Sequence, residues 1–137
     1  MQYKEPYIIE FSKHGGIDIG YITALNTSKD LPFEVKRLFI TYYTPDLIVR
    51  GRHAHFTTEQ ILFAVSEKIV VNTESADKKL NSFLLDTPYK GLYIPPNVWH
   101  TMQYQKNATQ LVLASTEYNE SDYLRDYDKF VAHWANK

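Results

Sequence analysis

The stretch Val49–Val65, "VRGRHAHFTTEQILFAV", places His53 and His55 one residue apart, just ahead of an apolar run. On a β-strand, residues i and i+2 point to the same face, so both imidazoles are presented to one spot. Imidazole titrates near neutral pH, and the pair therefore suits general acid/base work. Glu59 follows after three intervening residues, and His100 ends the later stretch "GLYIPPNVWH". Three imidazoles and a carboxylate could also hold Fe, Mn, Ni or Zn. Arg50 and Arg52 flank the pair within "RGRHAH". Fixed cations beside a metal cage oppose a divalent ion; beside an acid/base site they suit a substrate that carries phosphate. Gly51 allows close backbone approach next to Arg50, which favours a functional Arg50. Arg52 fits a solvated strand edge equally well.

Such side chains need a scaffold, and the hydrophobic period along the chain is mostly two, the mark of strands. "YIIEF" and "IDIGYIT" read as short strands split by a turn at Gly15 and Gly16, and "EVKRLFITYY" as a longer one. "RHAHF" and the buried "QILFAV" follow, then "KIVVNT" after a tight turn at Ser66 and Glu67. After the polar loop "ESADKK" come "NSFLLD", "GLYIP", "WHTMQY" and "TQLVLAS". That many short strands predicts a sandwich or jelly roll. The end differs: in "NESDYLRDYDKFVAHWANK" the residues Tyr123, Tyr127, Phe130 and Trp134 recur at helical spacing, with Ser121 as N-cap. This predicts an amphipathic helix closing one side of the β-domain, its aromatic stripe serving core or subunit contact and its His133 a surface or packing role.

The 137 residues suffice for one domain, expected to run 1–137 without linker or repeat. The 15 basic residues balance 16 acidic ones, leaving a net charge of −1 and no signature of nucleic-acid or membrane-surface binding. Cysteine is absent, which removes disulfides and thiolate chemistry and accords with a reducing compartment. No stretch has the length and apolarity of a signal peptide or a membrane span, so a cytoplasmic location is expected.

The order H-x-H-x-x-x-E, then P-x-N-x-x-H, resembles the two-part signature of cupins, small jelly-roll barrels that bring these side chains to the barrel mouth. The usual second motif has Gly where this chain has Asn97, a residue that tolerates a left-handed backbone. More specifically, "PFEVKRLFITYY", "RGRHAHFTTEQ", "LDTPYKGLYIPPNVWH", "LVLAS" and "YNESDYLRDYDKF" resemble the nucleotide-sugar 3,4-ketoisomerases. The tail D-Y-L-R-D-Y-D is distinctive, because nothing in a cupin barrel demands it.

The resemblance implies an all-β, single-domain cupin with a C-terminal α-helix, homodimeric and working without metal or other cofactor. Its substrate would be a dTDP-linked keto-deoxysugar, dTDP-4-keto-6-deoxyglucose, whose keto group moves from C4 to C3 on the way to 3-amino-3,6-dideoxy sugars of surface glycans. His53 and His55 would be the catalytic pair; Arg50 and Arg37 would hold the pyrophosphate. His14 would face the sugar, and His100 matches a branch whose members make the galacto product. After the K-R pair the family shows aromatic residues including Tyr, whereas this chain has Leu38, Phe39 and Ile40. No tyrosine is therefore placed in the catalytic set. Chemically, the shift needs the C3 proton removed, an enediol formed and a proton returned at C4. One neutral and one protonated histidine could divide those jobs. Two other readings compete: a metal-dependent cupin oxygenase or isomerase ligated by His53, His55, Glu59 and His100, and a non-catalytic cupin that binds a sugar nucleotide.

Overall fold

The computed structural model describes residues 4–135; the ends of the expected domain, residues 1–3 and 136–137, lie outside them. In chain order the strands are β1 Tyr7–Glu10, β2 His14–Gly16, β3 Gly20–Ile22, β4 Arg37–Thr41, β5 Val49–His55, β6 Gln60–Glu74, β7 Leu80–Leu85, β8 Lys90–Ile94, β9 Trp99–Ala114 and β10 Tyr123–Leu124. A 3₁₀ turn at Glu120–Asp122 precedes β10, and helix α1 spans Tyr127–Ala135. No helix among the described residues is long and apolar enough to cross a membrane.

Two long strands organise the domain. The first half of β6 pairs with β8 and the second half with β7, while β9 runs antiparallel beside β6 throughout. The early part of β9 also pairs with β5, and its late part with β4. One layer is therefore β4–β9–β6–β8–β1 and the other β10–β5–β9–β6–β7, with β6 and β9 passing from one to the other. The expected tight turn at Ser66 and Glu67 is not a turn. It is a pair of register shifts that bends β6, with Glu67 at φ 60°. The opposing bend in β9 falls at Lys106 and Asn107, both left-handed, so "WHTMQY" and "TQLVLAS" are one strand. This bent, two-layer arrangement is the jelly roll that the alternating pattern predicts.

The inner faces of both layers meet in a core of Leu62, Ile69, Val71, Leu85, Leu92, Ile94, Val98 and Val112. A second cluster, with Phe11, Phe33, Ile61, Phe63, Tyr93 and Leu113, lies on the other face of the first layer, where Leu25, Leu31 and Val35 of the β3–β4 connection pack against it. That second layer of cover explains why "QILFAV" is apolar at every position rather than alternating.

Two local expectations differ from the structure. Gly15 and Gly16 lie within β2, and the β2–β3 turn falls at residues 17–19. The terminal helix starts at Tyr127, not after Ser121. The Asp126 carboxylate caps it, accepting from the Lys129 backbone N–H at 3.0 Å, whereas Ser121 sits in the 3₁₀ turn capped by Asn119. Phe130 is the buried residue of the helix and packs on Trp99 with ring centroids 5.6 Å apart.

The turn of the second motif matches its sequence reading. Asn97 is left-handed, at φ 65°, and its N–H donates to the His55 carbonyl at 2.7 Å, tying the two motifs together. Gly51 has φ 84°, and a Cβ there would stand 2.9 Å from the His100 carbonyl oxygen and 3.2 Å from Met102 Cε. Gly51→Ala should therefore destabilise the domain by about 1–3 kcal/mol. Urea unfolding measures this, and a loss under about 0.5 kcal/mol would show that the backbone there relaxes freely.

Candidate active site

A bulge sets the face of the first motif. Simple alternation along β5 would turn Arg50 away from His53. Arg52, however, has φ 58°, and the pairing with β9 shifts register between Gly51 and His53. Arg50 and His53 thus both line one cavity of about 410 Å³, while Arg52 points to solvent. Beyond the bulge His53 pairs with His100 of β9, and His55 pairs with Tyr123 of β10.

The three imidazoles form one cluster. Ring centroids are 4.8 Å apart for His53 and His55, 4.6 Å for His53 and His100, and 6.0 Å for His55 and His100. His55 and His100 are almost wholly buried. His53 Nδ1 lies 3.0 Å from the Gly51 carbonyl and His100 Nδ1 3.1 Å from the Val98 carbonyl, so each Nδ1 carries the hydrogen and Nε2 is left basic. His55 Nε2 is buried with no partner among the described residues. Burial and the neighbouring ring of His55 push His53 down to about 4. Burial first, then the His100 ring, holds His55 at about 3, and burial with the neighbouring His53 holds His100 at about 3. All three are neutral near pH 7, in place of the expected neutral and protonated pair.

The carboxylate of the four-ligand reading is elsewhere. Glu59 Oε1 accepts from the Tyr93 hydroxyl at 2.6 Å, and its backbone bonds to Ser115. Glu59 supports the sheet. The candidate ligand nitrogens of the histidines lie within 4.8 Å of one another. Two nitrogens sharing a zinc ion at about 2.1 Å each stand at most about 4.2 Å apart, so the trio would have to draw in to share one.

Arg37, expected at the pyrophosphate, is not among the residues lining the cavity, although Phe39 and Thr41 on the same face of β4 are. Its Nη1 donates to the Tyr123 hydroxyl at 3.1 Å, and its Nε and Nη2 are buried without partners among the described residues. His14 is exposed on the β2–β3 hairpin, outside the cavity. The cavity instead contains two residues that helical spacing conceals, Tyr123 and Arg125. The Tyr123 ring lies 4.4 Å from that of His55 and 4.9 Å from that of His53, with the Arg125 guanidinium 4.3 Å from its centroid.

Asp122 holds them there. Its carboxylate accepts from the Thr57 N–H at 2.9 Å, the Thr57 hydroxyl at 2.7 Å, the Thr58 N–H at 3.1 Å and the Thr58 hydroxyl. Burial works to raise its pKa, but these donors together hold it below the usual carboxylate range. The D-Y-L-R segment is thus clamped to the "FTT" that follows the histidine pair. Arg125 Nε also pairs with Glu120 Oε1 at 2.6 Å. The sequence signal for these residues was the tail motif itself, which no barrel strand requires.

A strand-built cavity lined by His53, His100, Tyr123, Arg50 and Arg125, with His55 packed against His53 and Tyr123, has the jelly-roll setting of a cupin. Comparison with known proteins narrows the class. The family model described as "FdtA: WxcM-like, C-terminal" matches residues 4–135. The chain is 36% identical over 117 residues to TDP-4-oxo-6-deoxy-alpha-D-glucose-3,4-oxoisomerase of Aneurinibacillus thermoaerophilus, covering 85% of this chain and 84% of that one. A solved 3,4-ketoisomerase from Helicobacter canadensis superposes with a TM-score of 0.89 at 34% identity, over 96% of this chain and 98% of the other. The WlaRB TDP-quinovose 3,4-ketoisomerase of Campylobacter jejuni gives 0.86 at 33% identity, over 94% and 98%. The chain belongs to the cupin-type sugar 3,4-ketoisomerase family, and it is an isomerase.

The depressed histidines have a consequence for stability. Their folded pKa values lie below the ordinary 6.5, so between pH 6.5 and about 4 the unfolded chain binds protons that the folded chain refuses. Stability is therefore present above that window and lost on acidification through it, at about 1.4 kcal/mol per pH unit for each histidine. Urea unfolding at pH 7, 6 and 5 should show this decline; a flat profile would mean that the histidines titrate as exposed ones do.

Proposed function

We propose that the protein moves the keto group of dTDP-4-keto-6-deoxyglucose from C4 to C3 through an enediol, using histidine as the base. The observation that carries this reading is the cluster of His53, His55 and His100, of which His53 and His100 line the cavity with Nε2 unprotonated and Arg50 stands on the same wall. A base with its lone pair free suits removal of the C3 proton, which the neighbouring ketone makes acidic. The neighbouring imidazoles, with ring centroids 4.6–6.0 Å apart, suit bonding to the adjacent oxygens O3 and O4. Arg50 suits the pyrophosphate, a planar guanidinium matching phosphate oxygens. The activities of the relatives point the same way, and the family setting adds the further reading that the product serves amino-sugar synthesis for surface glycans in the cytoplasm. His100 stands where the family's galacto branch has histidine, so the galacto product is our assignment.

We also infer a homodimer. The β2–β3 hairpin leaves Ile17, Ile19 and Ile22 at 87%, 85% and 69% exposed, and Leu38 and Ile40 face outward on β4. Faces of this kind favour self-association. His14 rides on that hairpin, so in our reading it meets sugar only across the dimer. Light scattering at assay concentration should give twice the chain mass; a monomer mass contradicts the dimer.

Proton NMR of dTDP-4-keto-6-deoxyglucose with the protein tests the reaction, and the C4 proton couplings of the product test the galacto assignment. No isomerisation would leave the non-catalytic binding reading in its place. Turnover should survive a chelator, since Glu59 is committed to Tyr93 and Arg50 opposes a cation. Abolition by chelator and rescue by a divalent ion would establish the metal reading instead. His55→Asn should lower kcat by about a hundredfold to ten-thousandfold while dTDP affinity by calorimetry holds. Arg50→Ala should raise KM with little change in kcat, because a phosphate contact remote from the reacting carbons is made equally in ground and transition states.

A further inference from the structure

We propose that Gln60 is a further catalytic residue: its side-chain amide donates hydrogen bonds to the hexose oxygens O3 and O4 while charge passes between them. The proposal rests on the ketoisomerase reading above.

The fold puts Gln60 opposite the histidines. Strands β6 and β9 are paired along their length and both bend, so their two halves face each other as the two layers. A contact near the bend fixes how the halves meet: Tyr104 of the early half of β9 donates to Gln110 Oε1 of its late half at 2.7 Å. Alternate residues share one face of a strand. Equal steps away from that contact set Met102 against Val112, and His100 against Ala114. Gln60 is the β6 partner of Ala114. Gln60, His53 and His100 accordingly line the same cavity. Four residues, 56–59, join His55 to Gln60, and Thr57 and Thr58 among them are held by Asp122. The bonds that fix the histidine pair thus fix the wall that faces it.

The amide of Gln60 is buried and free. The residue is 3% exposed, and no hydrogen bond reaches its side chain among the described residues. A buried amide without a partner costs stability, and the residues that follow on the same face of β6, Leu62 and Ala64, are apolar. The packing of the sheet therefore does not call for an amide here; a ligand in the cavity does. A second buried amide on the wall, Gln110, stands at the far end with its oxygen taken by Tyr104.

The reaction has a use for such a donor. When a histidine takes the C3 proton, the C3–H pair forms the C3=C4 bond and the C4=O4 π pair moves onto O4. In the second half the proton on O3 leaves, its bonding pair forms C3=O3, and the C3=C4 pair takes a proton at C4. The proton lost from O3 balances the one gained at O4, and the imidazoles carry the transfers. Negative charge builds first on O4 and then on O3, on adjacent carbons. A primary amide has two N–H groups and does not ionise, so it bonds both oxygens without competing for protons. A fixed donor acts most strongly where charge develops in a cleft shielded from water. No bond of the amide is made or broken.

The test is kinetics by NMR on Gln60→Met and Gln60→Asn, with dTDP affinity by calorimetry. Gln60→Met keeps the length of the side chain and removes the donor. The free protein gives the amide no bond to lose, so this variant should keep its dTDP affinity while kcat falls at least about tenfold. Gln60→Asn draws the amide back by about 1.5 Å. It should show the same pattern, because about 1 Å of misplacement can cost a large factor in rate. A smaller fall in kcat, or a fall accompanied by weakened dTDP binding, overturns the proposal. If Gln60→Met does not fold, Gln60→Asn decides by the same two readouts. A wild-type protein that does not isomerise the substrate defeats the ketoisomerase reading itself, a result separate from these.

Discussion

Removal of three imidazoles from water is the constraint on which the rest of the structure depends. An ionised imidazole in that cluster would lose its hydration and face two neighbouring rings, so the neutral form prevails. Neutrality leaves each ring with a lone pair free to take a proton, although burial makes that lone pair a weaker base than an exposed imidazole's. The scaffold serves this end at several points. The left-handed Arg52 lets His53 turn inward with Arg50. Gly51 admits the carbonyl of His100, and Asn97 ties the second motif to the end of the first through the His55 carbonyl.

A second arrangement closes the site. The Asp122 carboxylate gathers two backbone N–H groups and two hydroxyls from Thr57 and Thr58, immediately after the histidine pair. This bond set lays β10 against β5, and the Tyr123 ring comes to rest against the imidazoles. The charges around it are ordered by depth. Arg37 is half-buried and bonded to the phenol oxygen, Arg125 covers its ring beside Glu120, and Arg50 stands on the cavity wall.

Much of this was legible in the residues. Alternation revealed the strands, H-x-H followed by P-x-N-x-x-H marked the candidate site, Gly51 signalled a close backbone approach and Asn97 a left-handed turn. What escaped was non-local. The bulge at Arg52 is set by pairing with β9, and no residue type in "RGRHAH" announces it. The bends of β6 and β9 looked like turns, because Ser66, Glu67 and Asn107 are turn residues whether a strand ends or merely kinks. Tyr123 was misassigned because its spacing to Tyr127 and Phe130 fits a helical stripe, although the helix begins four residues later. Arg37 was given to phosphate on its match to the family's K-R pair, and its hydrogen bond to the Tyr123 hydroxyl was not legible in the residues.

The account is tested most directly by the protonation state of the cluster itself. Nitrogen-15 NMR of histidine-labelled protein, with His53, His55 and His100 assigned through single variants, reports the charge on each ring as pH is lowered. The account predicts that all three remain neutral from pH 8 down to about 5, following folded pKa values near 3 to 4. A cluster imidazole that takes up a proton near pH 6.5 would contradict it.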